Sequence, residues 1–186
     1  DLTTKECIDS IRSVLDDHKV DILVNMAGIG IYKSLEDLSP EDFFLSLQLN
    51  TMVPFLLTKI TMDYLKKSDI GLVVNIGSGA GTMPFAGRSA YCTSKYALRG
   101  LSLSLSEEYR EQDISFLLIT LGSTMTTFGG KSITAQEEKV KNGNAIFPVE
   151  YAAQEILNQI KNPEREDEFV LYPSEHGFGK WKKPSN

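Results

Sequence analysis

Val20-Asp21-Ile22-Leu23-Val24-Asn25-Met26-Ala27-Gly28 is a nearly continuous apolar run that breaks into a short turn of small and polar residues. The pattern recurs twice. Leu72-Val73-Val74 runs into Asn75-Ile76-Gly77-Ser78, and Phe116-Leu117-Leu118-Ile119 runs on to Leu121-Gly122-Ser123-Thr124-Met125-Thr126. Short apolar runs without alternation suit strands covered on both faces, which is the habit of parallel sheets. Open parallel sheets place their ligands beyond the carboxyl ends of the strands, where these three turns fall.

Helical patterns separate the runs. Thr3 with Glu6 reads as a capping box opening a helix whose apolar stripe is Ile8, Ile11, Val14 and Leu15 and which ends near Asp17-His18. Ser39 caps and Pro40 opens a second helix, expected to run to about Lys66 with a kink at Pro54. A third runs from about Ala90 to Glu111, and Pro148 opens a last one with Ala152, Ala153, Ile156, Leu157 and Ile160 inward. Ser115 to Thr120 and Glu168 to Tyr172 read as the later strands. The long polar stretch from Gly122 to Phe147 reads as a mobile loop with one short helix around Ala135 to Lys141. Strands alternating with helices predict right-handed crossovers and an α/β fold: a doubly wound, Rossmann-like parallel sheet in three α/β/α layers.

Composition narrows the function. The 186 residues are 41% hydrophobic and 24% charged, which fits one globular domain. A net charge of -6 argues against nucleic-acid binding, and the one basic cluster, Lys180 to Lys183, reads as part of a solvated, flexible tail over 179–186. Two cysteines, Cys7 and Cys92, are too few for a disulfide framework and fit a reducing, cytoplasmic setting. His18 and His176 show no metal-ligand spacing, and no apolar run in the sequence approaches a membrane span. Neither a metal nor a membrane partner is expected.

Chemistry enters with Tyr91-Cys92-Thr93-Ser94-Lys95. A helix returns to one face after four residues, so the phenol and the ammonium point into one site. A neighbouring cation favours the phenolate and is expected to lower the tyrosine pKa from about 10, making it a usable general acid and base. Ser78, thirteen residues before Tyr91, supplies a hydroxyl at a strand end.

With Asn25 to Gly28, Asn50, Ser78, Tyr91, Lys95 and Gly122 to Thr126 in this order, the chain resembles the short-chain dehydrogenase/reductase family, in its compact-subunit branch. Two positions depart from the family pattern: Met26 in Asn-Asn-Ala-Gly, and Leu121 where Pro-Gly is usual. The resemblance implies an oxidoreductase that uses NAD or NADP to interconvert a carbonyl and a secondary alcohol. Asn50, Ser78, Tyr91 and Lys95 would be its catalytic residues, with Asn50 holding a water in a relay to Lys95. Asp1, Asn25, Ala27, Gly28, Tyr91, Lys95, Gly122, Thr124 and Thr126 would bind the cofactor. Met83, Phe85 and Phe128 are candidates to line an apolar substrate pocket, and core packing accounts for them equally well.

The family's Thr-Gly-x-x-x-Gly-x-Gly loop has no counterpart here. Neither Gly77-Ser78-Gly79-Ala80-Gly81 nor Gly28-Ile29-Gly30 completes a dinucleotide fingerprint, and both read as turn glycines. The resemblance implies that this loop, with a first strand and two further strands, precedes Asp1, so the chain reads as the C-terminal portion of a single Rossmann-like domain over 1–186. Such a portion would expose the edge of the Val20 to Val24 strand, and would aggregate or fail to bind cofactor. A homodimer or homotetramer through the two long helices is a further implication. Two rival readings remain: a non-catalytic or degenerate dinucleotide-binding scaffold, and a sugar-nucleotide epimerase, which would need a longer chain beyond Lys95.

Overall fold

The computed structural model describes residues 1–15 and 18–182. The expected end of the first helix near Asp17, and residues 183–186 of the expected tail, lie outside the described residues. Helix α1 (Lys5–Leu15), strand β1 (Ile22–Asn25), helices α2 (Pro40–Leu47) and α3 (Val53–Leu65), strand β2 (Leu72–Ile76), helix α4 (Ser89–Glu108), strand β3 (Ser115–Leu121), helices α5 (Ile133–Lys141) and α6 (Val149–Lys161) and strand β4 (Glu168–Leu171) follow in order. The four strands form one sheet in the order β1-β2-β3-β4, every pair parallel. Asn25 stands opposite Asn75, and Ile76 opposite Ile119, so all the strand ends open on one edge.

Side-chain alternation along β2 divides the core. Leu72 and Val74 join Leu117, Ile119 and Leu171 under Phe147, Ala152 and Ile156, which is the α6 layer. Val73 faces the other way with Phe116, Ile114 and Leu65, against Met62 of α3 and Leu105 of α4. The expected three layers are thus present. One detail differs from expectation. The steps β1 to β2 to β3 use helices on one face and the step β3 to β4 uses α6 on the other, while the strand order keeps advancing the same way. The last crossover therefore has the opposite hand to the first two. A short βαβ link could not do this; the connection from Gly122 to Asp167 is long enough to pass over the strand ends.

Local chemistry explains most boundaries. The first helix is capped by Thr4, whose hydroxyl accepts from the Cys7 N–H at 3.3 Å, one residue later than the Thr3 cap expected. Ser39 caps α2 by accepting from the Asp42 N–H, as expected. Pro54 does not break the long helix. Gln48–Met52 instead forms a π-helical turn, with the Val53 N–H reaching back to the Gln48 carbonyl, and Pro54 occupies the first turn of α3, where its missing N–H costs nothing. Within the resulting rod, Pro40–Leu65, an 18-residue stretch reaches a mean hydropathy of 1.3, long and apolar enough to cross a membrane by length and composition, which the expectation of no such run overlooked. Its inner side packs on β1, β2, α1 and α4.

Two helix faces depart from the sequence reading. Val14 of α1 is exposed, and in α6 Ala153 and Leu157 are exposed while Ala152 and Ile156 are buried. The contact stripe runs through Tyr151, Ala152, Ile156 and Ile160, and residues 153 and 157 turn about 100° away from Ala152 and Ile156 toward solvent. The Gly122 to Phe147 stretch contains α5, which begins at Ile133 under a Ser132 cap. Gln136 of α5 donates to the Thr126 carbonyl at 2.7 Å, tying the helix to the strand end. Residues 179–182 of the expected tail are also held: Lys180 bridges to Asn144, and Lys182 Nζ donates to the Asn142 carbonyl.

Candidate active site

A cleft of about 540 Å³ opens at the carboxyl edge of the sheet, and Ser78, Tyr91 and Lys95 all line it. The three side chains that the sequence grouped therefore converge. Tyr91 and Lys95 stand one turn apart in α4, both buried. Lys95 Nζ donates to the Ile76 carbonyl at 2.9 Å and lies 5.9 Å from the centre of the Tyr91 ring. Ser78 accepts from the Ala80 N–H at 3.2 Å, and its side chain also hydrogen-bonds the Tyr91 side chain. Gly81 permits this approach, because a Cβ there would sit 2.7 Å from the Lys95 carbonyl oxygen.

Electrostatics differ from the simple expectation. Burial pushes the Tyr91 phenol well above its ordinary 10.0; the Ser78 bond and the Arg88 charge pull it down, while Tyr32 and Cys92 push it up. Burial also lowers Lys95 from 10.5 to about 8. The expected lowering of the tyrosine pKa by Lys95 is not what the protein groups produce, because desolvation outweighs the other influences.

Asn50 is brought beside the site without lining the cleft. From the π-helical turn its Oδ1 accepts from the Ile29 N–H at 2.8 Å, and its Nδ2 donates to the Ile29 carbonyl at 2.9 Å and to Ser94 Oγ at 2.9 Å. The side chain thus clamps the loop after β1 to α4. Its amide is committed to these partners, and a water relay would have to use its backbone carbonyl, which lacks the usual α-helical donor because Pro54 has no N–H. Gly28 is required by this clamp, since a Cβ there would lie 2.9 Å from Asn50 Oδ1.

Of the other expected cofactor contacts, Gly28, Gly122, Thr124 and Thr126 line the cleft, and Asp1, Asn25 and Ala27 do not. Asp1 accepts from the Thr3 N–H and hydroxyl ahead of α1. Asn25 donates to Asn75 Oδ1 at 2.8 Å, and Asn75 donates to Ser102 at 3.0 Å, so the pair ties β1 to β2 and α4. Asn25 Oδ1 is buried without a hydrogen-bond partner among the described residues. Ala27 is exposed. Gly122 donates to the Leu171 carbonyl, and a Cβ on it would collide with Pro173.

Met83, Phe85 and Phe128 do line the cleft. Several further residues there were not singled out from sequence. The Tyr32 ring stands edge-on to Tyr91 at 5.5 Å. Gly30 and Gly129 make room for it: a Cβ on Gly30 would lie 2.8 Å from its hydroxyl, and one on Gly129 would strike its ring. Tyr172, Lys131 and Trp181 reach the cleft from the residue after β4, the loop before α5 and the segment near the C-terminal end of the described residues. Two glycines just ahead of an aromatic, Gly28 and Gly30 before Tyr32, were the available signal. Among the described residues no group of three or more His, Cys, Asp or Glu side chains is placed to hold a metal ion.

Known proteins resemble the chain in sequence and in fold. The family model described as short chain dehydrogenase matches residues 1–138. An uncharacterized oxidoreductase of Thermotoga maritima is 39% identical over 108 residues, covering 58% of this chain and 43% of that protein. The structure of 4-hydroxyisoleucine dehydrogenase complexed with NADH and succinate superposes with a TM-score of 0.79 at 29% identity, over 92% of this chain and 75% of that one. An alcohol dehydrogenase from Thermococcus sibiricus complexed with 5-hydroxy-NADP gives 0.80 at 25% identity, over 100% of this chain and 75% of that one. The chain spans about half the length of the curated relatives it matches.

Proposed function

The chain belongs to the short chain dehydrogenase family, and from that premise we propose that it carries the acid/base half of an NAD(P)-dependent oxidoreductase site that interconverts a carbonyl and a secondary alcohol. The observation that carries the reading is the convergence of Ser78, Tyr91 and Lys95 on one cleft at the strand ends.

The far wall fits a nicotinamide. Thr124 pairs with Phe147 in a parallel bridge whose bonds are made by its neighbours, Ser123 and Met125. In a parallel pair this leaves the N–H and carbonyl of Thr124 itself turned the other way, as a donor and acceptor suited to a carboxamide. Lys95 would hold the ribose hydroxyls nearby. When bound, the nicotinamide supplies or accepts the hydride at the carbonyl carbon. In reduction Tyr91 gives its proton to the carbonyl oxygen, and Ser78 holds that oxygen with a second hydrogen bond. The Lys95 ammonium stabilises the phenolate that remains, which offsets the burial that raises Tyr91 in the protein alone. In oxidation the phenolate takes the proton back.

Tyr91→Phe keeps the ring in its Tyr32 and Phe128 contacts and removes only the hydroxyl. In the full-length protein it is expected to lower turnover by about 10²–10⁴-fold, with dinucleotide affinity within a few-fold of the parent by calorimetry. Turnover that survives the substitution overturns the assignment.

A further inference from the structure

We infer that Lys131 and Arg88 form an anion subsite beside Tyr91 that receives a carboxylate of the substrate, so that the substrate is a short oxo or hydroxy acid. The inference rests on the reading of the cleft as a carbonyl/alcohol site.

The cleft is lined by two lysines and, among the described residues, by no carboxylate. Lys95 is committed to the Ile76 carbonyl. Lys131 forms no hydrogen bond or ion pair with the described residues, although it is only partly exposed. Gly129 and Gly130, both in the left-handed region, deliver it to the cleft directly after Phe128, whose ring lies 5.9 Å from that of Tyr91. Arg88 does not itself line the cleft and meets it through two of the lining rings. Its guanidinium lies over the Tyr32 ring at 4.6 Å and near the Phe85 ring at 5.3 Å, and both rings line the cleft. Stacking occupies the face of a guanidinium and leaves its N–H edge free to take a carboxylate.

Charge balance supports the assignment. The chain has 25 acidic residues and a net charge of -6, yet burial, and after it the charges of Arg88 and Lys139, hold the Lys131 pKa below the ordinary range. A partly buried cation without a counter-ion is costly, and a bound anion relieves that cost. Position then limits the size of the ligand. Tyr32 touches Arg88 and also Tyr91, so a ligand that joins the subsite to Tyr91 has only that ring to pass. A carboxylate a few bonds from the carbonyl fits this spacing.

Trp181 is the chain's one tryptophan and lines the cleft, so its fluorescence reports occupancy without turnover. Acetoacetate titrated into the protein is expected to change Trp181 emission saturably, and its neutral methyl ester to bind at least about tenfold more weakly. Lys131→Gln and Arg88→Gln should each weaken acetoacetate about tenfold or more and leave the ester unchanged, while Lys131→Arg retains most of the affinity. NADH, NADPH and pyrophosphate, titrated separately, should bind each variant within about threefold of the parent. Equal affinity for acid and ester, or no response to either, overturns the subsite. So does a loss confined to NADH, NADPH or pyrophosphate, which would make the two cations a cofactor phosphate site. Circular dichroism of each variant separates these outcomes from misfolding. The underlying reading fails separately, through turnover retained in Tyr91→Phe.

Discussion

Lys95 and Tyr91 leave a signature in stability because burial shifts them in opposite directions. The folded pKa of Lys95 is about 8 against an ordinary 10.5, so between those values the unfolded chain binds more protons, and stability rises with pH across that window. Tyr91 is raised above its ordinary 10.0, so above about pH 10 the unfolded chain releases a proton that the folded one keeps, and stability falls there. Lys95→Met is expected to remove the rise between pH 8 and 10 and to stabilise the protein at pH 7 by up to about 3 kcal/mol, read from urea unfolding across pH. The identity of this pair was legible in sequence from a spacing of four residues. Its electrostatics were not, because the desolvation that dominates depends on Tyr32, Phe128 and the strand ends closing over α4, which only the tertiary fold brings together. Asn50 shows the same division: its importance was readable, but its bond to Ile29 depends on the π-helical turn that Pro54 induces.

Elements were legible where their pattern was local. The strand cores, the Ser39-Pro40 helix start and the short helix near Ala135 all follow from composition and capping. The far side of the cleft did not, because it is built from contacts between elements distant in sequence. Gly122 illustrates this. Read as a cofactor glycine, it is also the point where β3 passes beneath Pro173 at the end of β4. Gly122→Ala is expected to destabilise the protein by about 1–3 kcal/mol through overpacking and to push Tyr172 and Pro173 away from the cleft. Urea unfolding gives the first effect, and a crystal structure of the variant the second. Leu121, in place of the usual proline, retains a backbone N–H within β3. The α6 face was misjudged because apolar residues at 153 and 157 lie next to the true stripe, and periodicity alone does not say how wide a contact surface is.

At the scale of the whole molecule, the long helical rod leaves Phe44 67% and Met52 51% exposed, on a chain otherwise well supplied with charge. An apolar surface of this kind favours association with a second copy. Phe44→Glu is expected to shift sedimentation toward the monomer at micromolar concentration while far-UV circular dichroism and the unfolding midpoint stay unchanged. The opposite-handed last crossover has a different reach. Because the chain must climb over the strand ends to change faces, the roof above Tyr91 and the anchoring of β4 belong to a single cooperative unit. A ligand that fills the space beneath that roof clamps the final strand against fraying, so occupancy and resistance to proteolysis at the chain's C-terminal end rise and fall as one quantity.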